Sequence, residues 1–178
     1  CLINELLASN HPALPKLRIS IAEMALASGN KKALAQLVNP LFKKAYSDLS
    51  SHLADECAQL LSLLKRHNTT IQTLCVDASS SELIALDSNY SALVGKARSI
   101  LADSQSTSDK QIAAAILLTS SIADQKLVLH YVSTQITPDT SQKKLETIVR
   151  VMSQMHEPEV ADLLLGVWAD MPTKIRAQ

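Results

Sequence analysis

Glycine is scarce in this chain, at 3 of 178 residues, and aromatic side chains are nearly as rare, with one Phe, one Trp and three Tyr. β-Sandwiches, β-barrels and Gly-loop nucleotide-binding folds draw on glycine for hairpins and phosphate turns, so the shortage argues against all three. An excess of one charge is missing too: 17 Lys and Arg balance 17 Asp and Glu, and the formal net charge is zero. Such a chain lacks the field of a general nucleic-acid or anionic-membrane binder, and only a local basic patch is left for that role. No apolar run approaches the ~20 residues of a membrane span. The richest, residues 112–118, soon reaches Thr119, Ser120 and Ser121.

Cysteine is sparse as well. Cys1, Cys57 and Cys75 are odd in number and far apart, the pattern of buried free thiols in a reducing compartment, which places the protein in the cytoplasm or nucleus. The chain opens on Cys1-Leu2-Ile3-Asn4, without Met and inside what reads as a helix, so we expect a fragment of a longer protein. A leading Cys also fits the lipidated residue of a mature bacterial lipoprotein, but such proteins follow it with a small flexible linker, whereas Leu2 and Ile3 follow here. The sequons at Asn68 and Asn89 matter only in a secreted protein.

What the sequence does hold is 47% hydrophobic residues, mostly Leu, Ala, Ile and Val. A chain of this size buries roughly 70% of its unfolded surface without needing a disulfide or a metal. Apolar residues recur at steps of three and four, the helical period, and no strand candidate has a partner. Leu17, Ile21, Met24 and Ala25 predict one helix face, capped by Gly29-Asn30. Asn39-Pro40 then predicts a helix start, with Pro40 in the first position and the longest helix of the chain running over 40–67. Residues 69–76 read as a short helix or connector. Ser79-x-x-Glu82 and Ser108-x-x-Gln111 read as capping boxes. Residues 104–108 are the clearest loop, and from Ile112 towards Ile136 the apolar pattern fits either one long helix or two that break near Ser120-Ser121. Further starts fall at Thr137-Pro138-Asp139 and Glu157-Pro158-Glu159.

The expected fold is therefore all-α: one domain over 1–178 of about seven to nine antiparallel helices. An irregular helical-repeat stack of the HEAT-like kind fits better than a closed bundle, with a possible subdivision at 102–109.

Chemistry finds little support. A nucleophile needs a base and an orienting group, yet Cys57 lies on an apolar helix face and Cys75 lacks a Gly-flanked turn. No CxxC, HExxH or ExxH spacing occurs, so no catalytic residue, cofactor or metal ligand is assigned. His130, between Leu127, Leu129 and Tyr131, reads as an interior histidine. Four basic doublets, Lys31-Lys32, Lys43-Lys44, Lys65-Arg66 and Lys143-Lys144, read first as solvated faces and second as a stripe that meets phosphates or an acidic peptide.

The strongest functional signal is the width of some apolar arcs. Leu163, Leu164, Leu165, Val167 and Trp168 cover more of the last helix than one buried face requires. The sequence thus points to a non-catalytic interaction or scaffolding module of a larger intracellular protein. A partner helix or peptide would dock in an inter-helix groove, with Leu163, Leu164, Val167, Trp168, Lys143 and Lys144 as candidate contacts. The alternatives are a nucleic-acid-associated domain using the basic doublets, or a homo-oligomer formed through the helix over 40–67.

Overall fold

A computed structural model describes residues 14–76, 80–137, 140–155 and 157–167. In chain order the helices are α1 (Leu14–Ala27), α2 (Lys31–Ser47), α3 (Ser51–Arg66), α4 (Ile71–Cys75), α5 (Ser81–Ala102), α6 (Ser108–Leu118), α7 (Gln125–Gln135), α8 (Gln142–Met152) and α9 (Glu159–Val167). A 3-10 turn, Ile122–Asp124, leads into α7, and no strand occurs among the described residues.

Chain ends of the helices follow from local chemistry. Gly29 sits at φ +67°, with its N–H on Leu26 O and the Asn30 N–H on Ala25 O, a Schellman motif closing α1. Asn68, at φ 51°, closes α3 in the same way, its N–H on Lys65 O and that of Thr69 on Leu64 O. Thr70 and Thr73 form a reciprocal capping box that opens α4, so the stretch 69–76 does hold a short helix.

The expected helix over 40–67 is two helices. Asp48 is extended, Leu49 is buried, and Ser50 caps α3 by accepting from the Leu53 N–H. Burying Leu49 while capping with Ser50 turns the chain back on itself, so α2 and α3 pack as neighbours. Pro40 lies inside α2, not at a helix start. Asn39, expected as a cap, instead clamps α2 to α5: its Nδ2 donates to Glu82 O (2.9 Å) and its Oδ1 accepts from Asn89 Nδ2 (3.0 Å).

Other starts differ by a few residues. Ser80, not Ser79, caps α5. Thr107 holds the cap position of α6 without a side-chain bond, and Gln111 Nε2 donates to Asp103 O, so no capping box forms there. Helix α8 begins after Ser141; Pro138 and Asp139 lie outside the described residues. Of the one helix or two left open over 112–136, two form, separated at Ser120-Ser121, and the start at Glu159 falls where expected.

Helix α2 packs on α5, and its contacts rise together along both: Lys32 with Glu82, Asn39 with Asn89, Phe42 with Tyr90, and Lys96 Nζ with Tyr46 O. The two helices run parallel. Helix α3 packs on α6 in the same sense, for Leu49 and Ser51 share a cavity with Thr107 and Ser108, whereas Leu61 and Lys65 share others with Ser120. One helix pair, α2–α3, is thus laid on another, α5–α6. Helix α1 packs on α2 and α3, α4 on α5, and both α7 and α8 on α6. A single apolar cluster runs from Ala22 to Met155 and crosses the 103–107 loop. Helix α6 lies deepest, with every residue over 113–118 buried.

Helix α1 turns a different face inward from the one its apolar residues suggest. Leu14, Arg18, Ala22 and Ala25 are buried, while Leu17 and Met24 are 41% and 70% exposed. Small Ala22 and Ala25 let α1 approach α2 and α3 closely, and Arg18 reaches the Glu56 carboxylate on α3.

Candidate functional site

Helix α3 borders two cavities. A cavity of about 670 Å³ is lined by its residues from Asp55 to Arg66, by Ile19 of α1, by Thr119 and Ser120 after α6, by Arg150 of α8 and by Gln154 just after α8. A second, of about 790 Å³, lies at the start of α3 and is bounded by 48–51, by Thr107 to Lys110 and by Lys143, Lys144, Thr147 and Arg150. Arg150 lines both, so the two adjoin at its side chain, and together they form a groove between α3 and α8.

The sequence builds that wall on α8 through its period. Leu145, Ile148, Val151 and Met152 are buried, while Lys143, Thr147 and Arg150 recur at steps of three to four on the opposite side; these three, with Lys144 at the edge of the buried face and Gln154 just after the helix, line the cavities. Lys144 Nζ donates to Gln135 Oε1 (2.7 Å) and Arg150 Nη1 to Asp55 Oδ2 (3.2 Å). Lys65, Arg66, Lys110 and Lys143 make no ion pair among the described residues. Six cations therefore border the groove against Asp48, Asp55 and Asp109. The N-terminal ends of α3, α6 and α8 meet at the larger cavity, and their dipoles add to its positive potential.

Of the four basic doublets, the fold brings two to this groove, Lys65-Arg66 and Lys143-Lys144. The other two stand on α2, where Lys32 pairs with Glu82 at 3.0 Å. Lys110 and Arg150 are groove residues that the doublet search missed, since each stands alone in sequence. Their signal is the polar stripe of α8 and the first turn of α6.

Leu163 and Leu164 are half-buried against the core, and Leu164 also packs on Leu145. Leu165 is 72% exposed. Val167 ends α9, and Trp168 lies outside the described residues. Apolar residues of α3 and α7 are largely taken up internally: Leu60, Leu63, Leu64, Val128, Tyr131 and Val132 are buried. Leu61 of α3 instead lines the groove.

Cys1 lies outside the described residues, Cys57 is buried and Cys75 is half-buried. Burial pushes Cys57 up to about 12 against the opposing charge of Arg18, so it stays protonated at neutral pH. Burial also raises Cys75, whose Sγ donates to Leu83 O at 3.3 Å. Neither is bridged. His130, expected inside, is exposed, because Val128, Tyr131 and Val132 take the inward face of α7. Among the described residues no group of three His, Cys, Asp or Glu is placed to hold a metal ion, and no helix is long and apolar enough to cross a membrane.

No protein-family description, curated protein sequence or solved structure matches the chain.

Proposed function

We propose that this chain is a non-catalytic interaction module, a scaffolding part of a larger protein, that receives a helix or linear segment of a protein partner in the groove along α3. The observation that carries the reading is the pair of cavities meeting at Arg150. A groove bounded by two helices and lined by side chains at helical spacing suits helix-in-groove or linear-peptide docking. We read α2–α3 and α5–α6 as stacked helix pairs of the HEAT-like kind. The parallel laying of α2 on α5 and of α3 on α6 supports this, since repeat stacks repeat one contact from pair to pair and bind along one layer. The exposed Leu165 supports α9, with Leu163, Leu164, Val167 and Trp168, as a second point of partner contact. Unbridged Cys57 and Cys75 support a reducing cytoplasm or nucleus.

Photo-crosslinking tests the groove directly. A reactive side chain at Gln59, which lines the groove, is expected to give adducts that map to one linear segment of one partner in cell lysate. The same group at exposed Ser88 on α5 gives none. Equal labelling from both positions, or none from Gln59, overturns the reading.

A further inference from the structure

We propose that the segment this groove receives is acidic, a linear protein stretch in which Asp or Glu recurs among small polar and apolar residues. The proposal rests on the docking reading above and adds the chemistry of the occupant. The chain is neutral overall, yet six cations border the groove against three carboxylates. That local excess comes from α3, α6 and α8 together: Lys65 and Arg66 stand at one end of α3, Lys110, Lys143 and Lys144 at the other, and Arg150 between them. Four of the cations have no ion-pair partner among the described residues. The fifth, Arg150, is 49% exposed at its side chain and held by Asp55 across the groove. A half-exposed ion pair of this kind is weak in water and exchanges readily, so an incoming carboxylate can take the place of Asp55 on Arg150.

The dimensions fit a short segment. Sixteen residues of α3 at 1.5 Å each give a floor of about 24 Å, which an extended stretch of about seven residues spans. Small polar side chains between the cations, such as Ser62, Thr147 and Gln154, suit a peptide backbone. A polyphosphate suits the groove less well. Asp48, Asp55 and Asp109 interrupt the positive border, and no aromatic ring is present among the described lining residues for bases to stack on.

Selection from a phage library of random peptides, about twelve residues long to exceed the floor, on the whole immobilised chain tests this. The expected result is enrichment of sequences with several Asp or Glu within seven residues. A synthetic enriched peptide should bind about tenfold more weakly to Lys143→Glu/Lys144→Glu, and equally so to Lys65→Glu/Arg66→Glu at the other end. It should bind about threefold more tightly to Asp55→Asn, which frees Arg150. Circular dichroism checks that each variant keeps its helices, and the two charge reversals at opposite ends guard against one failing to fold. Enriched peptides that are apolar or basic, and are still lost on the charge-reversal variants, overturn the acidic occupant and leave docking in this groove standing. Enrichment that no groove variant alters, or no enrichment at all, overturns the docking reading itself. A single-stranded RNA of about ten nucleotides that displaces the acidic peptide and binds more tightly overturns a protein occupant.

Discussion

Arg18 and Glu56 form a charged pair inside the molecule, 9% and 4% exposed, where α1 meets α3. Burial depresses the Arg18 pKa, and its Nε finds no acceptor among the described residues. Removing one partner strands the other charge away from water, so Glu56→Leu is expected to lower the unfolding free energy by about 3–5 kcal/mol. The double variant Arg18→Met/Glu56→Leu removes both charges and should recover most of that loss in urea denaturation. A double variant no more stable than the single one contradicts the pairing. A second pair governs acid behaviour. Arg98 Nε and Nη2 donate to the two oxygens of Asp124 at 2.7 and 2.9 Å, tying α5 to the 3-10 turn. Burial acts to raise the Asp124 carboxyl, but hydrogen bonds from Arg98 and Ser121 and the Arg98 charge outweigh it and hold it below the ordinary 3.8. A depressed folded pKa stabilises above the unfolded value, and the contribution is lost as pH falls from about 3.8 through the folded value. Asp124→Asn should therefore lower stability at pH 7 by about 1–3 kcal/mol, with the gap to the wild type closing below pH 3.8. A gap that is constant with pH contradicts the assignment. Neither pair was legible in the sequence. Arg18 fills a core position of α1 beside Ala22 and Ala25, and a search for apolar periodicity passes over a charged residue and favours Leu17 and Met24.

At the scale of helices, far more was legible. The Gly29 cap and the start at Glu159 stood out by their local chemistry, whereas 69–76 was open between a short helix and a connector and 112–136 between one helix and two. The long helix failed for a physical reason: Leu41, Ala45, Leu49, Leu53 and Cys57 keep the helical period straight through a turn, because Leu49 is buried whether or not the helix continues. The decisive cue was the extended Asp48 beside the capping Ser50, which periodicity cannot weigh against five apolar residues in phase. Pro40 gives the sharpest test. It is exposed and lies inside α2, where its missing N–H leaves Gln36 O without the usual helical donor. Pro40→Ala is therefore expected to raise stability, by up to about 3 kcal/mol, since an interior proline carries a penalty of that order. Had Pro40 opened a helix, the same change would be close to neutral. Thermal unfolding of the two proteins separates these outcomes.

At the scale of the whole molecule, the sequence supplied the materials of the groove without its assembly. Lys65-Arg66 and Lys143-Lys144 were visible as doublets about 78 residues apart, but only the packing of α3 and α8 on α6 puts them on one surface. The cavities arise because α3 turns one side to α2 and α6 and leaves the other between α1 and α8. Chain neutrality hides the result, since the acids that balance the total lie mostly elsewhere. The central claim is that the α3–α8 groove is where a partner segment binds. Its most direct test is backbone-amide chemical-shift mapping by NMR on the whole chain, titrated to saturation with an acidic peptide enriched by selection. The largest shifts are expected in α3 and α8, with Asp55 and Arg150 among them, and little change over α2. Shifts confined to α2, α5 or α9, with α3 and α8 unmoved, would contradict it.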